Sequence, residues 1–138
     1  MARSPSGSEA IFIDLGAERR LVEASIGQLD IQAAGSRQEV QYLSGGNQQK
    51  VVMARSLAAR PVVFLLEEPT RGIDVGAKAE IYALIRRLAD DGAAVVVISN
   101  DLTEMVGLSD EIVALFEGKV AAILSGGTPE EKVLAHIA

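Results

Sequence analysis

Apolar and polar positions follow two periodicities along the chain, one typical of helices and one typical of buried strands. Residues 76–91 form the clearest predicted helix, and Gly92 follows where a helix commonly ends. The apolar positions of this helix repeat at i, i+3, i+4 and i+7: Ile81, Leu84, Ile85 and Leu88. Unbroken apolar runs at residues 62–66 and 93–98 indicate strands, the second extending to Ser99, that are buried on both faces of a parallel sheet.

The rest of the pattern adds helices and a hairpin, and predicts an α/β fold. The predicted elements are helices at residues 18–29 and 47–59, a loop at 32–42 between them, and a hairpin of residues 111–116 and 119–124. Asp101 is the expected cap of a short helix, with Glu104 as its reciprocal partner. Thr128 is expected to cap a final helix that has Pro129 at its first position.

Composition narrows the class of protein. The 138 residues suit one domain, and 49% hydrophobic residues with only 4% aromatic residues predict an aliphatic core. A net charge of −6 argues against nucleic acid as a partner, and the absence of cysteine excludes disulfides and thiolate metal sites. Residues 1–10 are rich in serine, have no apolar core of a signal peptide, and are expected to be a flexible lead-in.

The first candidate site is the segment LSGGNQQK at residues 43–50. A Ser-Gly-Gly turn that enters a helix exposes backbone N–H groups at the positive end of the helix dipole, where phosphate oxygens bind. The Ser44 hydroxyl adds a further donor, and the absence of side chains at Gly45 and Gly46 lets a phosphate approach. Taken alone, the segment is equally well explained by a helix cap after a glycine turn.

The second candidate site is a pair of carboxylates at the end of the first strand. Ligands of α/β sheets bind at the carboxyl ends of the strands, which is where Glu67 and Glu68 lie. One carboxylate can hold Mg²⁺, and the next can orient or deprotonate a water molecule. Taken alone, the pair is also explained by a solvated acidic turn.

Together the two segments resemble an ATP-binding cassette (ABC) ATPase. Residues 43–50 resemble the ABC signature in the form found in ribose, galactose and xylose importers. Residues 65–76, LLEEPTRGIDVG, resemble the Walker B strand, the catalytic glutamate and the D-loop. The resemblance implies part of a P-loop NTPase (RecA-like) core, with residues 11–60 as helical subdomain and signature helix and residues 61–138 as the C-terminal part of the core.

The resemblance also implies roles for individual residues, with ATP and Mg²⁺ as the ligands. Glu68 matches the general base, Asn100 matches the switch position and Glu67 matches the Walker B metal ligand. Asp74 matches the D-loop aspartate at the interface between cassettes. The signature residues expected to contact nucleotide held by an opposing cassette are Ser44, Gly45, Gly46 and Gln48.

The sequence departs from the family pattern at three points. Glu67 stands where aspartate is usual, and its extra methylene displaces the carboxylate that would position Mg²⁺. Asn100 stands where histidine is usual, and its amide cannot carry a proton. No G-x-x-x-x-G-K-[S/T] loop, the Walker A motif, occurs in the 138 residues. We therefore expect the chain alone to be inactive and to bind Mg-ATP in the millimolar range (~4 kcal/mol).

The resemblance implies a place in a sugar importer. The expected partners are a second cassette, permease subunits and, indirectly, a periplasmic sugar-binding protein, at the cytoplasmic face of the inner membrane. Two alternatives stay open: a fragment of an ABC ATPase that does not transport, and a docking module that keeps the fold without catalysis. Because the Walker A strand lies inside the sheet of this family, we also expect the 111–124 hairpin to close onto the 93–99 strand, or the chain to self-associate there.

Overall fold

The computed structural model describes residues 14–137, so the lead-in predicted for residues 1–10 lies outside the described residues. Five α-helices and four strands make up this part of the chain. The helices are α1 (Leu15–Gln28), α2 (Gly45–Ala58), α3 (Val75–Asp90), α4 (Leu102–Leu108) and α5 (Glu130–Leu134). The strands are β1 (Val63–Glu67), β2 (Ala94–Ile98), β3 (Glu111–Phe116) and β4 (Lys119–Ser125).

The element types predicted from the pattern are confirmed, and capping residues explain where the boundaries differ. Helix α1 begins three residues earlier than predicted, because the Asp14 carboxylate accepts hydrogen bonds from two N–H groups of its first turn. Helix α2 begins at Gly45 because Ser44 is its cap. The loop predicted for residues 32–42 contains a short 3-10 helix, Val40–Tyr42.

Two predicted capping boxes are wrong in their detail. The carboxylate of Asp101 does accept from the Glu104 N–H at 3.1 Å, but Glu104 does not return the bond. Its side chain turns inward instead, to two hydroxyl groups described below. At α5 the cap is Pro129, and the Thr128 hydroxyl donates to the Ser125 carbonyl rather than serving the helix.

The core joins the helices to one face of a parallel strand pair. The side chains on the other face of both strands are exposed, so the prediction that these strands are buried on both faces is wrong. Strands β1 and β2 run parallel in register, from Val63 opposite Ala94 to Glu67 opposite Ile98. Helix α3 covers this pair with Ile81, which is fully buried, and with neighbouring apolar residues. The contiguous core consists of Leu29, Ile31, Leu43, Met53, Phe64, Ile81, Leu84, Ile85, Leu88 and Leu108. It is mainly aliphatic, as predicted.

The hairpin does not close the sheet. Strands β3 and β4 pair with each other as a separate antiparallel sheet, and β1 with β2 form the other two-stranded sheet. The expected closure of the hairpin onto β2 is therefore wrong for this chain. The hairpin is instead fastened at its open end, where the Gly126 N–H donates to the Asp110 carbonyl at 2.7 Å.

Candidate functional site

Glu68 adopts an unusual backbone conformation directly after β1. Its φ of 45° lies in the left-handed region, which is uncommon for a residue with a long side chain. Its N–H donates to the Ile98 carbonyl at 2.7 Å, and its own carbonyl accepts from the Arg71 N–H at 3.1 Å. These two bonds turn the chain sharply at the carboxyl edge of the parallel strands, so that the Glu68 side chain points along that edge towards the end of β2.

Glu68 and Asn100 are joined by two hydrogen bonds. One carboxylate oxygen, Oε1, accepts from the Asn100 N–H at 3.0 Å and from the Asn100 side-chain amide at 2.8 Å. Within residues 14–137 no group donates to the other oxygen, Oε2, which is free to accept a hydrogen bond from a water molecule. The two residues predicted as catalytic therefore form one unit, with one oxygen fixed and the other available.

Glu67 lies beside this unit as the last residue of β1, and its side chain is exposed. No group of three or more potential ligand residues that could hold a metal ion occurs among residues 14–137. Mg²⁺ commonly takes only one or two carboxylates from a protein and completes its shell with water and substrate phosphates. An exposed carboxylate at the end of a strand fits that partial role.

The signature segment opens α2 with free backbone donors. Ser44 Oγ accepts from the side-chain amide of Asn47 at 2.8 Å and, at 3.4 Å, from its N–H. Both contacts use the hydroxyl as an acceptor, so its proton remains available to a ligand. In the described part of the chain, the N–H groups of Gly45 and Gly46 donate to no protein acceptor. Free N–H groups beside a hydroxyl at the start of a helix are what the predicted anion site requires, and anion binding at this turn stays a prediction.

Gly46 has a packing role that the sequence did not reveal. It is buried, and a Cβ at this position would lie 2.5 Å from Ala77 Cβ. A Cβ at Gly45 would make only ordinary contact, 3.4 Å from Ile73 Cγ2. Gln48 donates its side-chain amide to the Leu43 carbonyl at 2.9 Å, so this amide braces the turn. The signature turn is thus packed against the start of α3.

Asp74 caps α3, and its carboxylate accepts from the Ala77 N–H at 2.9 Å. The predicted site residues therefore fall into two groups. Glu67, Glu68 and Asn100 lie together at the edge of the parallel strands, whereas the signature residues pack beside Gly72, Ile73 and the start of α3. No hydrogen bond or ion pair joins the two groups anywhere in residues 14–137.

Similarity to known proteins decides the family. The family model described as ABC transporter matches residues 9–71. The ribose import ATP-binding protein RbsA 2 of Rubrobacter xylanophilus is 53% identical over 80% of this chain and 21% of its own length. The arabinose import ATP-binding protein AraG 1 of Burkholderia thailandensis is 46% identical over 93% of this chain and 26% of its own length. This chain belongs to the ABC transporter family.

Solved structures show that this ABC family chain has the fold of part of an ATP-binding cassette. A dimeric post-hydrolysis state of the ATP-binding cassette MJ0796 with ADP and Pi matches 83% of the chain with a TM-score of 0.69 and 25% identity. A nucleotide-free ATP-binding cassette from an ABC transporter matches 84% with a TM-score of 0.74 and 22% identity. The chain covers 49% and 46% of these two structures. It spans between a fifth and about a quarter of the curated relatives (21% and 26%).

Two charged residues of this ABC chain are buried, which the sequence pattern did not predict. Lys50, the last residue of the signature segment, donates to the Asp30 carbonyl at 2.8 Å and forms an ion pair with Glu80 at 2.8 Å. Glu104 accepts from the Thr70 hydroxyl at 2.9 Å. All three contacts join residues that are far apart in sequence. In the sequence, the burial of these residues was indicated only by a charged residue on the inward side of an amphipathic helix.

A partly exposed ion pair lies next to Asn100 of this ABC chain. Lys78 of α3 donates to the Asp101 carboxylate at 2.9 Å. This hydrogen bond raises the pKa of Lys78 and, together with the bond from the Glu104 N–H, lowers the pKa of Asp101. The pair joins α3 to the segment that follows Asn100.

Among the described residues, no helix has the length and apolar character to cross a membrane.

Proposed function

We propose that this chain is part of the ATP-hydrolysing subunit that drives the import of a sugar across the cytoplasmic membrane. The observation that carries the proposal is the orientation of the Glu68 carboxylate by Asn100 at the carboxyl edge of the parallel strands. The import function is supported by relatives whose names are ribose and arabinose import ATP-binding proteins. Those names favour import over an ABC ATPase that does not transport.

In the proposed reaction, Glu68 Oε2 accepts a hydrogen bond from the water that attacks the terminal phosphate of ATP. Asn100 holds the other carboxylate oxygen and so limits the rotation of the base. Glu67 would hold Mg²⁺, which neutralises phosphate charge when bound. The Ser44 hydroxyl and the free N–H groups of Gly45 and Gly46 would donate to phosphate oxygens of a nucleotide held by a second cassette.

The partners follow from the same proposal. A second cassette supplies the phosphate-binding loop that faces the signature turn, with Asp74 near their interface. Permease subunits place the assembly at the cytoplasmic face of the membrane as a peripheral protein, and a periplasmic sugar-binding protein acts through the permease. The sugar is chosen by the permease and binding protein.

The test is a chimera in which this chain replaces the segment it matches in the Rubrobacter xylanophilus protein. We expect the chimera to hydrolyse ATP, and Glu68→Gln to lower its turnover by about 10²- to 10⁴-fold with ATP binding retained. Glu117→Gln is the matched control, because Glu117 lies in the exposed β3–β4 turn. An inactive chimera that still binds ATP would support the docking alternative, and an unaltered rate for Glu68→Gln would refute the assigned base.

A further inference from the structure

A buried carboxylate lies directly behind the Glu68–Asn100 unit. The Glu104 side chain is 3% exposed, although charged residues are rarely buried without partners. Its two oxygens are both occupied: Oε1 accepts from the Thr70 hydroxyl at 2.9 Å, and Oε2 accepts from the Ser99 hydroxyl at 2.5 Å. Because a carboxylate only accepts, both hydroxyls donate to Glu104. An amide in its place would have to donate to one of the two hydroxyls, which reverses the direction of that hydrogen bond.

The two hydroxyls belong to the segments that carry the candidate catalytic residues. Thr70 lies two residues after Glu68, in the turn that leaves β1, and Ser99 lies directly before Asn100. Ser99 Oγ also accepts from the Asp101 N–H at 3.0 Å, so its single proton is directed to Glu104. Glu104 therefore bridges the exits of two parallel strands through hydrogen bonds that span 34 and 5 residues.

The hydrogen bonds of Glu104 to Thr70 and Ser99 lie next to an unfavourable backbone conformation, that of Glu68. Glu68 is held at a φ of 45°, and such conformations persist when the surrounding structure fixes them. The bonds between Glu68 and Asn100 are themselves exposed to solvent, so they depend on the segments beneath them. Lys78, which faces Asp101 from α3, forms no hydrogen bond or ion pair with Glu104 within residues 14–137, and its own ion pair with Asp101 is partly exposed. Glu104 is the buried group that ties these segments together.

We propose that Glu104 is a positioning residue that holds the general base Glu68 and the switch residue Asn100 in their mutual geometry, through Thr70 and Ser99. This role rests on the function proposed for Glu68. Glu104 does not act as a reciprocal helix cap, because the Asp101 N–H donates to Ser99 and not to Glu104.

The first test needs no catalysis and uses the 138-residue chain. Hydrogen exchange is measured for the Asn100 and Arg71 N–H groups and for the amides of the β3–β4 hairpin. We expect Thr70→Val, which keeps the shape of the side chain but removes its hydroxyl, to accelerate exchange at Asn100 and Arg71 about fivefold to tenfold. Thr70→Ser, which restores the hydroxyl, should return exchange to the wild-type rate.

Controls separate a local role from general destabilisation. Thr103→Val removes a similar threonine–glutamate hydrogen bond, from Thr103 to Glu130 at 2.8 Å. This bond lies on the exposed side of α4, the helix that also carries Glu104. Thr103→Val should leave exchange at Asn100 unchanged. Unchanged exchange in Thr70→Val, or an equal rise in the hairpin, would overturn the positioning role. Glu104→Gln is a second variant that probes the same bridge from its other end, with acceleration at Asn100 again expected.

The second test uses the chimera described above. We expect Thr70→Val to lower kcat about tenfold or more with KM for ATP unchanged, and Thr70→Ser to restore kcat. A changed KM with unchanged kcat would contradict the proposal. If the unmodified chimera hydrolysed no ATP, the proposed function would fail, whereas the exchange result would still decide whether Glu104 supports this geometry.

Discussion

Gly46 illustrates how one residue of a predicted ligand-binding turn also serves the packing of the protein. The 2.5 Å separation between its virtual Cβ and Ala77 Cβ leaves no room for a methyl group. We expect Gly46→Ala to lower the free energy of unfolding by about 1–3 kcal/mol, because α2 must move away from α3. Urea denaturation of the chain measures this. Gly27→Ala is the control, since nothing lies within 4 Å of its virtual Cβ, and it should be neutral or slightly stabilising.

The Lys78–Asp101 pair makes stability depend on pH at both extremes. Because the folded pKa of Asp101 lies below its unfolded value of about 3.9, the pair stabilises the fold above that value, and the contribution is lost as pH falls through the folded pKa. The pKa of Lys78 is raised, so its contribution is present below about 10.4 and is lost as pH rises through the folded pKa.

The variant Lys78→Met tests this pH dependence. We expect it to lower Tm at pH 7, and the difference from wild type to shrink as the pH is lowered below about 4. Added salt should reduce the difference at pH 7, because the pair is partly exposed. Lys132→Met is the control, since Lys132 is exposed on α5. A difference in Tm that stayed constant from pH 7 to pH 2 would show that lost packing, and not charge, is responsible.

At the scale of elements, Lys50 ties three segments together from within α2. Its ammonium is buried, whereas its partner Glu80 is 59% exposed. We expect Lys50→Met to lower the free energy of unfolding by about 1–3 kcal/mol, because the Asp30 carbonyl loses its donor. Glu80→Gln should lower it by less than about 1 kcal/mol, since an exposed partner contributes little. Equal losses in urea denaturation would show that the ion pair, rather than the carbonyl contact, matters most.

The sequence predicted elements well and contacts between them poorly, for a physical reason. The strand β3 at Glu111–Phe116 was predicted with its correct bounds, because the Glu-Gly turn that follows it is a local signal. The family resemblance implies separate roles for Glu68 and Asn100, but the hydrogen bonds between them were not predicted. The Thr70–Glu104 bond was missed altogether, since it spans 34 residues and Glu104 also suits a helix cap. The expected closure of the hairpin onto β2 is wrong because it depends on packing contacts that no local sequence pattern encodes.

For the whole molecule, the outward face of the β1–β2 pair predicts association. This face, defined by the exposed side chains of Val63, Leu65, Val96 and Ile98, is apolar except for Glu67 at its end, whereas parallel sheets are normally covered on both sides. We expect the 138-residue chain to self-associate through this face at micromolar concentration. Sedimentation velocity should show more monomer for Leu65→Lys.

The control for this association is Leu15→Lys, because Leu15 is equally exposed, at 73% against 74% for Leu65, but lies on α1 away from the strand pair. This variant should associate like the wild-type chain. Sedimentation of the wild-type chain as a monomer at high concentration would contradict the prediction, and equal dissociation by both variants would show that the surface involved is not the outward face.

The left-handed conformation of Glu68 has a consequence for how this chain would change under selection. Glycine relieves such a conformation by up to about 1 kcal/mol, and asparagine tolerates it well. A laboratory evolution experiment that rewards thermal stability alone should therefore replace Glu68 by glycine or asparagine, while one that rewards ATP turnover should retain it. Sequencing the surviving clones of both selections measures this, because the residue encoded at position 68 should differ between them.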